Sequence, residues 1–146
     1  MASVSDILAR KGDHVFTVTP DQTVLQAVST MNEAQIGAVV VVDTEGRIVG
    51  MFTERDVLRR IVAERREPTQ VRIADAMTRE VLTVSPETEI EEAAELMKNR
   101  RIRHLPVVES SGRLLGLISI GDVNAWHTVR IEEKADFLEG YVFGRA

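Results

Sequence analysis

Apolar residues fall into short, unalternating runs separated by amphipathic stretches, and they do so in the same order twice along the chain. In the first half, the apolar run Val15 to Val18 predicts a short strand. It ends near Pro20, whose fixed φ and missing N–H stop a strand and suit the approach to a helix. Val24, Ala27, Val28 and Met31 then occupy the i, i+3, i+4, i+7 positions of one buried helical face. The runs Ala38 to Val42 and Ile48 to Phe52, divided by Asp43-Thr44-Glu45-Gly46, predict a hairpin of buried strands. A second helix closes the unit, with Val57, Leu58, Ile61 and Val62 on its apolar side.

The same order returns 66 positions later. Val15 to Arg60 aligns without a gap on Val81 to Trp126, pairing Pro20 with Pro86, Met31 with Met97, Gly46 with Gly112, Gly50 with Gly116 and Asp56 with Asp122. Glycines, prolines and apolar runs kept in one register over a whole unit indicate a true duplication. The second copy has a strand at Val81 to Val84, a helix with Ile90, Ala93, Ala94 and Met97 buried, and a hairpin of Leu105 to Val108 and Leu114 to Ile118 around Ser110-Ser111-Gly112. The predicted fold class is α/β (α+β): two βαββα units packed about a pseudo-twofold axis, because one unit cannot cover both faces of its own sheet. The first unit with its lead-in spans residues 1–66, the second 67–128, and an amphipathic helical tail 129–146. Glu64 to Gln70 is the polar link, and Ser5-Asp6-Ile7-Leu8 and Ala74-Asp75-Ala76-Met77 are matching lead-in turns. In the tail, Ile131, Ala135, Leu138 and Val142 line one helical face, with Gly140 its weak point. That face either packs on the core or meets a twin.

Composition narrows the function. A chain of 146 residues, 44% of them hydrophobic, can support a core that buries roughly 70% of its unfolded surface without staples. The formal charge of -5, with basic residues dispersed, lacks the field of a nucleic-acid binder. With no cysteine and no membrane-length apolar run, the expected setting is the cytoplasm, with no membrane partner. His14, His104 and His127 share no ligand spacing, so no metal is expected. No P-loop or dinucleotide glycine turn is present, and Asp6 and Asp75 read as caps, so an enzyme is not expected.

The chemistry concentrates where each hairpin gives way to a helix, at Gly50-Met51-Phe52-Thr53-Glu54-Arg55-Asp56 and Gly116-Leu117-Ile118-Ser119-Ile120-Gly121-Asp122. Free N–H groups at such a helix start attract phosphate. An ionised Asp one turn in can accept from both hydroxyls of a cis-diol. The competing reading is a capping box, in which Thr53 or Ser119 caps the helix and Asp56 or Asp122 reaches back; the two roles can coexist. Arg103 offers a planar fork for phosphate and His104 a titratable donor. The first copy has Gly37-Ala38 in their place, so the two clefts should be unequal. Arg100 and Arg101 read as a solvated edge. Arg55, replaced by Gly121 in the second copy, faces either phosphate or solvent, and Thr17 and Thr83 stand at strand ends as secondary ligand contacts.

The Gly-h-h-[Thr/Ser]-x-x-Asp segments, together with Arg101 to Val108 before the second hairpin, resemble CBS repeats over nearly the whole chain. The resemblance implies a stand-alone, non-catalytic Bateman module, commonly a homodimer, whose clefts bind AMP, ADP, ATP, NAD or S-adenosylmethionine without a required metal. By position, it gives ribose and phosphate contacts to Thr53, Asp56, Ser119 and Asp122, and a phosphate contact to Arg103. The expected function is a regulatory sensor of adenosine nucleotides, AMP foremost, that passes metabolite status to an unknown partner. The alternatives are a ligand-free dimeric scaffold or a sensor of NAD or S-adenosylmethionine. Replacing either Asp is expected to leave the unliganded melting temperature nearly unchanged.

Overall fold

The computed structural model describes residues 1–142, with side chains through residue 136. Helix α1 (Val4–Lys11) is followed by β1 (Thr17–Val18), α2 (Val24–Ala34), β2 (Ala38–Val42) and β3 (Ile48–Thr53). Helix α3 (Glu54–Asp56) continues directly into a π-helical turn at Val57–Val62. After a 3-10 turn at Ile73–Asp75 come α4 (Ile90–Arg100), β4 (His104–Val108), β5 (Leu114–Ser119) and α5 (Ile120–Val142). Strands β1, β2 and β3 form one sheet, with β1 parallel and β3 antiparallel to β2; β4 and β5 form an antiparallel pair.

The helices form where the apolar stripes predict. Val24, Ala27 and Met31 are buried on α2, and Ile90, Ala93 and Met97 on α4. Thr23 caps α2 in a reciprocal box with Gln26. Gln35 and Arg101 end α2 and α4 in the same left-handed conformation, at φ 55 and 54. This equivalence marks the duplication in the backbone itself.

The second copy lacks the predicted strand at Val81 to Val84; only Val84 bridges, in parallel, to Val107. In the first copy the N–H of Val40 donates to the carbonyl of Phe16 at 3.3 Å. The residue equivalent to Val40 is Pro106, which has no N–H to give Leu82, so that rung is lost. Leu82 is left outside the ladder.

The lead-in segments exchange places. Val4 and Ile7 of α1 are buried in the core cluster of the second repeat, with Ile90, Leu105 and Ile118. Ile73, Ala76 and Met77 are buried in that of the first, with Phe52 and Val39. The backbone bonds repeat the swap: Val4 N–H donates to Thr88 O at 2.8 Å, and Ile73 N–H to Gln22 O at 2.8 Å. Each fully buried Val or Ile contributes about 1.5–3 kcal/mol, so the exchange ties the two repeats into one cooperative body.

Two sequence expectations are corrected here. Ile61 is buried, but Leu58 and Val62 are each 62% exposed, so the helix after β3 presents two apolar faces, one of them outward. Helix α5 runs unbroken through Val142, yet Ile131 is 68% exposed and Ala135 is exposed, so this part of the tail stripe does not pack on the module's core. The side chains of Leu138 and Val142 lie outside the described residues. Among the described residues no helix is long and apolar enough to cross a membrane.

Candidate functional site

Both strand-to-helix junctions are capping boxes. The Asp56 N–H donates to Thr53 Oγ1 at 3.4 Å, and the Thr53 N–H donates back to Asp56 Oδ2 at 3.0 Å. In the second copy Asp122 N–H donates to Ser119 Oγ at 3.2 Å, and Ser119 N–H to Asp122 Oδ2 at 2.8 Å. The capping role is therefore real in both copies. What surrounds the two boxes differs.

A cleft of about 430 Å³ opens over the Thr53–Asp56 junction. It is lined by Thr53, Arg55, Asp56, Arg59 and Arg60 of the first repeat and by Thr78, Glu80, Val81, Leu82 and Arg101 to His104 from the far side of the link. Arg103 and His104 thus serve the junction of the other repeat. Gly37 lies beside both repeats' contributions, where a Cβ would be in ordinary contact with Glu54 Oε2 at 3.4 Å and His104 Cε1 at 3.6 Å.

Five arginines line the cleft, Arg55, Arg59, Arg60, Arg101 and Arg103, against the carboxylates Glu54, Asp56 and Glu80. The excess of fixed positive charge in a concave, partly dry space favours anions. Arg101, read from sequence as a solvated edge, is exposed but lines this cleft, and its carbonyl accepts from Arg55 Nη1 at 3.5 Å. Arg59 and Arg60 were not identified from the sequence, although Arg55 and Arg59 share one helical face at i, i+4. They lie in the π-helical turn, a distortion often found at functional sites. Thr17 and Thr83, both exposed, do not line this cleft.

Asp56 is only 7% exposed. Its Oδ1 accepts from Thr78 Oγ1 at 3.2 Å and faces Arg60 Nε at 3.4 Å, while Arg60 Nη1 also donates to Met77 O at 2.9 Å. A carboxylate so placed supports the fold as well as any ligand. These contacts argue, against the expectation from sequence, that its replacement lowers the unliganded melting temperature. Asp122 instead pairs with Lys11 Nζ at 2.7 Å.

His104 stands between the two junctions. Burial holds its imidazole below the ordinary histidine range, against Asp122 and Glu54, which pull it back up; Lys11 and Arg103 add to the lowering. Among the described residues no cluster of three or more His, Asp or Glu side chains could hold a metal ion.

The arrangement of paired repeats is one that known proteins share. The CBS domain model matches residues 4–63 and 73–126. The mitochondrial CBS domain-containing protein CBSX3 of Arabidopsis thaliana is 36% identical over 150 aligned positions, covering 97% of this chain and 72% of that protein. A CBS-domain containing protein from Agrobacterium tumefaciens superposes with a TM-score of 0.80 at 39% identity, over 86% of this chain and 98% of its own. The CBS domain pair of protein MJ0100, solved in complex with methylthioadenosine and S-adenosyl-L-methionine, matches in fold with a TM-score of 0.80 at 23% identity, over 89% and 98% of the two chains. With both repeats matched, their lead-ins exchanged and the two junctions related by a pseudo-twofold axis, the chain belongs to the CBS domain family as a two-repeat Bateman module, a regulatory unit.

Proposed function

We propose that the cleft over Thr53 and Asp56 binds an adenosine nucleotide, AMP foremost with ADP and ATP in the same class, and that its occupancy is read by a partner protein. One observation carries this reading: the hydroxyl and carboxylate of one repeat face Arg103 and His104 of the other across a single cleft. Its volume of about 430 Å³ lies within the range of about 300–1,000 Å³ typical of small-molecule sites. Val81, Leu82 and Ile102 offer apolar surface for a base, the Thr53–Asp56 box offers acceptors for ribose hydroxyls, and the arginines offer donors for phosphate.

Charge favours the phosphate-bearing adenosyl ligands. S-adenosylmethionine carries a sulfonium, which five arginines disfavour, whereas AMP, ADP and ATP bring two or more negative charges. NAD carries a pyrophosphate and remains the second candidate, limited by the extra volume of its nicotinamide riboside. The setting assigned is the cytoplasm, on the composition argument above.

A homodimer belongs to the same reading. Leu25 and Val62, 43% and 62% exposed, line a largely apolar groove with Val28, Ile61 and Pro68, edged by Arg65 and Arg66, and Leu58 on the same helix is 62% exposed, which supports self-association with or without ligand.

Calorimetric titration at physiological salt with AMP, ADP, ATP, NAD and S-adenosylmethionine tests the ligand. The phosphate-bearing adenosines should bind, and Asp56→Asn should weaken them at least tenfold. Absence of any binding below millimolar concentration sinks the sensor reading and leaves the dimeric scaffold.

A further inference from the structure

The geometry points to Lys11 as a latch that closes the second junction, so that the module takes one nucleotide per chain; this rests on the nucleotide reading of the first cleft.

Lys11 is the last residue of α1, whose Val4 and Ile7 are sunk in the core of the second repeat. Leu8 is wedged against Gly116, where any Cβ would fall 2.7 Å from Leu8 Cδ2. Arg10 lies over the Trp126 ring, 5.4 Å from its centroid. The helix end therefore has a fixed place, and Lys11 Nζ donates to Leu117 O at 2.9 Å and to Asp122 Oδ2 at 2.7 Å. Asp122 Oδ2 also accepts the Ser119 N–H. That oxygen is full, and only one side of the carboxylate is left for a diol that needs two.

The first junction is built differently. At Asp56 the backbone bond from Thr53 is present as well, but its other contacts are long: the hydroxyls of Thr53 and Thr78 at 3.3 and 3.2 Å, rotors that can turn to a ligand, and the Arg60 guanidinium at 3.4 Å. At Asp122 the contact is a charged ammonium at a short distance, the stronger class of hydrogen bond. The repeat register also removes the attraction for phosphate. Arg55, Arg59, Arg60, Arg101 and Arg103 have as equivalents Gly121, Ala125, Trp126, Gln35 and Gly37. A ligand at Ser119–Asp122 would have to displace a lysine already in place, and would find none of the five arginines in return.

The test is an NMR titration of the full chain with AMP and with adenosine, following the amides of Ser119 to Asp122 and of Thr53 to Asp56, in the wild type, Lys11→Met, Lys11→Arg and Lys11→Met/Asp122→Asn. In the wild type and Lys11→Arg, all saturable shifts, including any passed to Ile120 through its bond to the Arg103 carbonyl, should follow the single affinity seen at Thr53 to Asp56. Lys11→Met should add a second, weaker set at Ser119 to Asp122, with less than threefold preference for AMP over adenosine, and Asp122→Asn should remove it. A second, separate affinity at Ser119 to Asp122 in the wild type, or none in Lys11→Met at millimolar ligand while Thr53 to Asp56 respond, overturns the latch. Binding only at Ser119 to Asp122 of Lys11→Met keeps the latch and overturns the reading of the first cleft. Silence at both junctions in every variant overturns both.

Discussion

Gly50 of β3 lies directly against Met77 of the exchanged lead-in: any Cβ at Gly50 would fall 2.7 Å from Met77 Sδ and 2.8 Å from the carbonyl oxygen of Thr78. The Thr78 backbone cannot yield, because its N–H and carbonyl both bond Met51, at 2.8 and 2.9 Å. At the equivalent Gly116 the obstacle is the flexible end of Leu8 alone. Gly50→Ala should therefore destabilise by about 1–3 kcal/mol through overpacking, and Gly116→Ala by clearly less. Urea unfolding of the two variants checks the order; equal losses would mean that the two contacts are not distinguished by backbone.

Asp56→Ala should lower the unliganded melting temperature, and Asp122→Ala should lower it less. The first removes the N3 half of a capping box, so that the Thr53 N–H loses its acceptor, and also leaves Thr78 Oγ1 and Arg60 without their buried acceptor. The second removes a cap whose carboxylate is partly exposed and whose other partner, Lys11, can turn to water. Thermal unfolding followed by circular dichroism gives the comparison. A smaller loss at Asp56 than at Asp122 would contradict the burial argument.

Much of this was legible in the sequence, and what was not has a physical reason. The hairpins and the stripes of α2 and α4 follow from periodicity, which is local. The missing strand at Val81 to Val84 depended on Pro106, whose absent N–H matters only once the partner strand is known. The unequal clefts were visible as Gly37 against Arg103, but pairing Arg103 with Asp56 needed the third dimension, because the lead-ins cross. Lys11 carries no local signal at all: its partner Asp122 is 111 residues away.

The His104 imidazole gives the module a pH dependence of defined sign. Its folded value is lowered, so it contributes stability that is fully present above the unfolded value near 6.5 and is lost as pH falls through the folded value. A bound phosphate beside Arg103 would favour the protonated ring, so nucleotide binding below neutral pH should take up a proton, and affinity should rise as pH falls from 7 toward 6. Titration in buffers of different ionisation enthalpy measures that uptake. His104→Gln should abolish it and flatten the affinity profile over the same interval. Proton release on binding would reverse the assignment.

Arg103→Ala should separate phosphate from nucleoside recognition. A charge-assisted hydrogen bond contributes about 1.5–3 kcal/mol, so AMP affinity should fall about 10- to 100-fold while adenosine affinity changes little. Arg103→Lys should recover only part of the loss, since an ammonium lacks the planar fork. Equal weakening of AMP and adenosine would place Arg103 in the architecture of the cleft and not on the phosphate.

The outward apolar residues carry the last prediction. Leu58 and Val62 are both 62% exposed and one turn apart, with Leu25 on the neighbouring helix, so nothing among the described residues covers them. Because substitutions at such exposed positions typically change stability by no more than about 0.5 kcal/mol, Leu58→Glu and Val62→Glu should leave the monomer folded. A carboxylate forced into an apolar contact with a twin would be desolvated without a partner, so each variant should shift the sedimentation equilibrium from dimer to monomer. A dimer that survives both changes would have to use another face, and the exposed Ile131 side of α5 is then the next surface to alter.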